Sequence, residues 1–349
     1  MKNNTIRGVA MGAVVLLVLI GLYTASLVKR DPVQVDSGFR IVMGTFSRIV
    51  VLARSEAAAQ ACIAAAFEQQ RRVDELMSNY QEDSELSRVN RLAFQEPVPV
   101  SEETFAVLEK AKQYSEFSEG AFDVTVGPLG ELWHAAGEAN VPPTEAQIAE
   151  ARGKVGYEKL LLDPQARTVR FAVEGMRLDL GGIAKGYAID LSVQALKKRG
   201  AVGGMVDIGG DVMCFGAPGK DRDAWVVGLQ DPTVAPDDLG TDKLLLKLQV
   251  SDAAVTTSGD YRRFTQIQGQ KESHIMDRRS GHGASKLVSV TVIAPDAIGA
   301  DALATAVSVL GQEKGLALIE SLPDTEAIVV PHAAEAEPVF SSGAEAYIR

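Results

Sequence analysis

The chain has 349 residues, of which 46% are hydrophobic and 23% charged, and its net charge is −11. This length holds one large domain or two modest ones, and the balance is that of a globular protein rather than a disordered one. Two cysteines exclude a disulfide scaffold and a Cys-rich zinc site, and the acidic balance argues against a protein that grips the nucleic-acid backbone.

Taken in chain order, the first feature is a run of 21 uncharged residues from Gly8 to Val28, centred on Val14–Ile20. As a helix rising ~1.5 Å per residue it is about 30 Å long, enough to cross a bilayer core. Residues 1–30 read as an uncleaved signal anchor or transmembrane segment. A cleaved signal is the alternative, with Thr24-Ala25-Ser26 as a poor cut site. No cysteine follows the run to accept a lipid, the first being Cys62. Lys2 and Arg7 favour a cytoplasmic N-terminus and an extracytoplasmic body, although Lys29 and Arg30 dilute that asymmetry.

Residues 31–38 read as a linker. Ile41–Leu52, apolar and β-branched, predicts a strand, and the Ala-rich stretch from Glu56 to Leu76 has helical spacing. Ser101 opens a helix running to Phe117, and Thr144 caps a short one through Arg152. Strand-like runs follow at Leu160–Leu162, Thr168–Ala172 and Met176–Leu180, then a helix from Ile183 to Arg199. Further strands are expected at Gly204–Ile208, Trp225–Leu229, Leu244–Val250, Ala254–Thr257 and Leu287–Ile293, before a small-residue helix from Ile298 to Leu310. Strands and helices mix without a regular alternation, which predicts an α+β fold. Cys62 and Cys214 read as small buried hydrophobes.

Four segments carry chemistry. Asp179-Leu180-Gly181-Gly182-Ile183-Ala184-Lys185-Gly186 leads from a strand into a helix through a glycine pair. It is either a tight structural turn or a phosphate seat made of helix-start N–H groups and Lys185. Asp301 and Thr305, four apart on one helix face, are hard oxygen donors suited to Mg²⁺, or a solvated acid beside a packing threonine. His274, between Ser273 and Asp277, is a general-base candidate or a structural histidine. Gly120-Ala121-Phe122-Asp123 opens an extended segment reaching Leu129. It would line a flat ring or turn into a half-buried strand.

In sequence order these segments join Met43-Gly44-Thr45, Tyr80 with Asp83–Asn90, Asp207-Ile208-Gly209-Gly210-Asp211 and Thr257-Ser258-Gly259-Asp260-Tyr261. Together they resemble the FAD:protein FMN transferases, the ApbE family, over about residues 39–345. The resemblance implies one large catalytic domain of mixed sheets and helices, T-fold-like, behind the N-terminal anchor. It also implies Mg²⁺-dependent transfer of FMN from FAD to a Ser or Thr hydroxyl of an acceptor protein, with AMP released. Carried over by position, Met43, Tyr80, Ala121, Phe122, Asp123, Asp179, Lys185 and Ile275 would line the FAD site. Asp301, Thr305 and the carbonyl of Gly182 would hold Mg²⁺, and His274 would be the base, with Asp277 orienting it. The implied acceptor is a membrane electron-transfer subunit, and the implied location is a bacterial inner membrane with the catalytic domain on the periplasmic side. Arg278-Arg279-Ser280-Gly281 departs from the family's Pro and Thr, and both arginines read as surface residues or as contacts to adenylate or acceptor. An FAD pyrophosphatase yielding FMN and AMP, and a non-catalytic flavin-binding protein, are the other readings.

Overall fold

A computed structural model describes residues 31–220, 222–232, 244–259, 264–332 and 337–349. The apolar run of residues 8–28, and Asp260 and Tyr261 of the Thr257–Tyr261 motif, lie outside the described residues. No helix among the described residues is long and apolar enough to cross a membrane.

The frame is an eight-stranded sheet. Its strands are β1 (Val33–Val42), β2 (Thr45–Ala53), β3 (Gly203–Ile208) and β4 (Asp211–Phe215), then β7 (Ala253–Gly259), β8 (Leu287–Ala294), β9 (Glu326–Pro331) and β10 (Val339–Phe340). That is also their order across the sheet, and every pairing is antiparallel. A separate hairpin of β5 (Trp225–Gln230) and β6 (Leu244–Val250) covers part of one face. The strand alternation decides which layer each residue joins. Val50, Leu52, Val212, Cys214, Val255 and Ile293 pack with Trp225, Val227 and Leu248 of the hairpin. Ile49, Val51, Val206, Met213, Ala254 and Val292 face the helices instead.

Those helices are α1 (Glu56–Met77), α2 (Glu85–Leu92), α3 (Glu102–Phe117), α4 (Gly127–Ala139), α5 (Glu145–Gly153), α6 (Ala184–Lys198), α7 (Ala297–Leu310) and α8 (Gln312–Glu320). Helices α1, α6 and α7 form the layer on the sheet, and α7 is buried nearly all round. The predicted caps hold: Ser101 accepts the Thr104 N–H, and Thr144 and Gln147 form a reciprocal capping box. The mixed α+β expectation is met, and Cys62 and Cys214 are buried free thiols.

Three expectations are corrected. The single strand at Ile41–Leu52 is the end of one strand and most of a second. Met43 and Gly44 turn between them with φ of 52° and 67°, the left-handed pair that a two-residue hairpin needs. The stretch 31–38, read as a linker, carries the first residues of β1. The segment after Gly120, read as extended to Leu129, is instead a run of bends and turns that enters helix α4 at Gly127, with Pro128 in the first turn, where a missing N–H costs nothing.

Candidate active site

The glycine turn before α6 is built by its own side chains. Asp179 is exposed, and its Oδ1 accepts the Gly181 N–H at 2.8 Å, closing the turn. The Asp179 N–H donates to the carbonyl of Val124 at 2.7 Å, tying the turn to the Phe122–Val126 segment. Upstream, the amide of Asn90 brackets Leu178, accepting its N–H at 2.7 Å and donating to its carbonyl at 3.0 Å. The Asp83–Asn90 motif thus holds the segment entering the turn.

Lys185 sits in the first turn of α6 and reaches two carboxylates. Its Nζ lies 2.7 Å from Asp211 Oδ2 and 3.1 and 3.2 Å from the two oxygens of Asp301. Both acids are 3% exposed. Asp211 begins β4 directly after Gly209 and Gly210, a turn in which both residues have positive φ. Its other oxygen accepts the Thr257 N–H at 3.0 Å. Asp301 lies on α7 and also accepts the Gly186 N–H at 3.1 Å. Burial favours the neutral amine, yet the two carboxylates outweigh it and hold Lys185 above the usual lysine range. Burial, joined by the charge of Asp211, pushes the Asp301 carboxyl up against the opposing pull of Lys185.

Helices α6 and α7 meet closely. A Cβ at Gly186 would collide with the Ala297 carbonyl. Asp190 accepts the N–H groups of Ala297 and Ile298, both at 2.9 Å, and Asp296 caps the same helix through Gly299. Burial of Asp190 pushes its carboxyl up to about 6 against those two bonds. One turn beyond Asp301, Thr305 comes back to the glycine pair: a Cβ at Gly182 would lie 2.9 Å from Thr305 Oγ1 and 3.4 Å from the Phe122 ring. The fold therefore gathers Phe122, Gly182, Lys185, Asp301 and Thr305 from three separate stretches, with Asp211 as a sixth member.

The remaining candidates stand around this cluster. Ala121 and Ile275 pack with Val309 at the end of α7, which brings the Ala121 and His274 loops together. His274 is exposed between two short hairpins, Phe264–Ile267 with Gln270–Ser273 and Met276–Asp277 with His282–Gly283. Asp277 Oδ1 accepts the N–H and Nε of Arg279 at 2.9 and 3.0 Å. Met43 is half-buried at the β1–β2 tip, and two residues on, Thr45 lies against Gly209 of the turn that presents Asp211. Tyr80 projects from the α1–α2 connection and is 96% exposed.

The side chain of Asp123 is turned into the protein. Its oxygens accept from Thr125 N–H at 2.8 Å, Thr125 Oγ1 at 2.6 Å, Tyr157 N–H at 2.9 Å and Arg278 Nη1 at 3.0 Å. Any contact with a ligand at this position falls to its backbone. Arg278 also pairs with both oxygens of Glu158 and lies 4.9 Å over the Tyr157 ring. It is a fixed bracket rather than a solvated surface residue.

A donor set of one buried carboxylate, one hydroxyl and one backbone carbonyl is all hard oxygen. It leaves most positions of an octahedron to water and phosphate, which is how Mg²⁺ is usually held. The missing Cβ of Gly182 opens the space beside Thr305 Oγ1, so these residues fit the ion.

A model of the ApbE family matches residues 43–329. The chain belongs to the ApbE family. A Vibrio cholerae protein named FAD:protein FMN transferase is 36% identical over 252 residues, covering 71% of this chain and 73% of its own length. A Treponema pallidum protein of the same name is 34% identical over 316 residues, 86% of each chain. The crystal structure of the ApbE protein from Thermotoga maritima superposes with a TM-score of 0.79 at 32% identity, covering 91% of this chain and 99% of that one.

Proposed function

We propose that this ApbE-family chain is an FAD:protein FMN transferase that depends on Mg²⁺. It moves FMN from FAD to a Ser or Thr hydroxyl of an acceptor protein and releases AMP. The observation that carries the reading is the convergence of Lys185, Asp301 and Thr305 on the Gly181-Gly182 turn.

The acceptor oxygen attacks the FMN-side phosphorus, the bond from that phosphorus to the bridging oxygen breaks, and AMP leaves with the electron pair. Asp301, Thr305 and the Gly182 carbonyl would hold Mg²⁺, which would supply charge neutralisation on the phosphoryl oxygens. Lys185 adds a second positive charge beside them, kept protonated by its two carboxylates. His274, exposed at the rim, takes the proton of the attacking hydroxyl, a role worth ~10²–10⁴-fold. Ala121, Phe122 and Ile275 offer apolar walls for the flavin, with Met43, Tyr80, Asp179 and the backbone of Asp123 around them.

Residues 8–28 tether this body to the inner membrane of a bacterium, with the catalytic domain on the periplasmic side. There it meets an acceptor such as a membrane electron-transfer subunit. The test is to incubate the chain with FAD, Mg²⁺ and a Ser- or Thr-bearing acceptor and weigh the acceptor. A mass gain of one FMN is expected. Free FMN with an unmodified acceptor would make the chain a pyrophosphatase, and intact FAD would make it a binding protein.

A further inference from the structure

Lys185 has two seats. Asp211 Oδ2 is the nearer at 2.7 Å, and the paired oxygens of Asp301 are the farther at 3.1 and 3.2 Å. In the proposed reaction Asp301 is a cation ligand and Lys185 a charge beside the phosphates, while Asp211 only helps to keep the lysine protonated. Yet Asp211 is as buried as Asp301 and is the closest ionic partner of the lysine. Burying a carboxylate is costly even when it is paired, so its presence here calls for a reason.

The conflict it resolves lies at Asp301. Among the described residues, Oδ1 of Asp301 accepts only from Lys185, and Oδ2 accepts from Lys185 and the Gly186 N–H. A divalent cation arriving at this carboxylate would meet an ammonium already on it, and two cations on one carboxylate repel. We propose that Asp211 is a positioning residue that takes Lys185 off Asp301, so that the carboxylate is released to the divalent cation while the lysine stays charged and in place. The proposal rests on the reading of Asp301 as a metal ligand.

The geometry suits such an exchange. Asp211 is anchored: its Oδ1 accepts the Thr257 N–H, leaving Oδ2 to the ammonium. Lys185 is the partner able to shift, a compact charge on a flexible stem whose side chain is 25% exposed. Moving wholly onto Asp211 breaks its two longer contacts and keeps the shortest one. The charge count also closes. Two carboxylates and one ammonium leave one negative charge, which the incoming cation meets at Asp301 once the Lys185–Asp211 pair is neutral.

The test reads metal affinity without turnover. Mn²⁺, as a paramagnetic probe of the Mg²⁺ site, is titrated into the full chain without FAD, and the free-ion EPR signal reports what is bound. Asp211→Asn is expected to weaken binding ~10–100-fold, the usual effect of losing a residue that orients a ligand, because Lys185 is left with Asp301 alone. Lys185→Gln is expected to tighten binding about tenfold, since it removes the competing charge. The double variant should recover most of the loss. An unchanged affinity in Asp211→Asn, or weaker binding in Lys185→Gln, overturns the proposal while the metal reading stands. If Asp211→Asn fails to fold, the sign of the Lys185→Gln shift decides. Wild-type chain that binds no Mn²⁺, or Asp301→Ala that binds it equally well, removes the metal reading itself and the proposal with it.

Discussion

Lys185 and Arg278 each stand between two carboxylates, and they are held in opposite ways. Lys185 lies between Asp211 and Asp301, whose side chains are 5% and 4% exposed. Arg278 lies between Asp123, 1% exposed, and Glu158, 54% exposed. The guanidinium makes three directed bonds to these acids, rests on Tyr157, and fills the space over Gly120, where a Cβ would come within 2.5 Å of its Nε. Such a planar fork is fixed in direction, whereas an ammonium is a point charge that can change partners. The same count of charges thus makes a bracket in one place and an adjustable site in the other. Arg278 joins the loop after His274 to the Ala121–Asp123 loop, and Lys185 serves the carboxylate cluster beside the Gly181-Gly182 turn.

Substitutions that separate the two clusters should differ in what they destroy. The largest effect is expected from Asp301→Ala, which should reduce FMN transfer to background. Its thermal melting should stay cooperative, because Lys185 keeps Asp211; undiminished transfer would move the metal elsewhere. His274→Ala follows, with transfer down ~10²–10⁴-fold and FAD affinity, read from flavin fluorescence, unchanged. An unaltered rate would assign the base to another group. On the bracket side the loss should be of stability. Arg278→Ala should cost ~3 kcal/mol in urea unfolding, the low end for breaking a buried pair, since Asp123 keeps three other hydrogen bonds. Arg278→Lys should restore only part of it. A wild-type unfolding curve for Arg278→Ala would contradict the bracket.

The smallest effect should come from Glu158→Gln, ~0–1 kcal/mol near neutral pH because the acid is half in water. Its signature is in acid. The bonds from Arg278 lower the Glu158 carboxyl from 4.5 to about 2. That pairing stabilises the fold above pH 4.5 and is lost as pH falls toward about 2. Glu158→Gln should therefore flatten the melting temperature across that window, and an identical acid slope in both proteins would refute the assignment.

How much of this could be read in the residues depends on the range of the interaction. Ser101 and Thr144 announce helices because a cap acts within three positions. The Asp301 and Thr305 spacing announces a shared face for the same reason. The turn at Met43–Gly44 was hidden because Ile41-Val42 before it and Thr45-Phe46 after it all favour a strand, and only the left-handed φ of Met43 and Gly44 divides them. Helix α4 was hidden by Gly127 and Pro128, which look like breakers until Pro128 is seen in the first turn. Asp211 stood in the Asp207–Asp211 motif, but its partnership with Lys185 crosses from a strand to a helix and appears only when β4 is laid beside α6. Arg278 was the hardest to foresee. Charged residues in a loop are usually solvated, and nothing local tells that Gly120, more than 150 positions away, leaves room for its side chain.

On the proposed reading, the cluster around Lys185 and Asp301 carries FMN from FAD to an acceptor hydroxyl. The most direct measurement follows AMP and flavinylated acceptor together in one reaction with Mg²⁺. The account predicts equal amounts of the two, with the FMN mapped to a Ser or Thr of the acceptor and both products absent in Asp301→Ala. AMP matched by free FMN, with no flavin on the acceptor, or transfer that persists in Asp301→Ala, would contradict it.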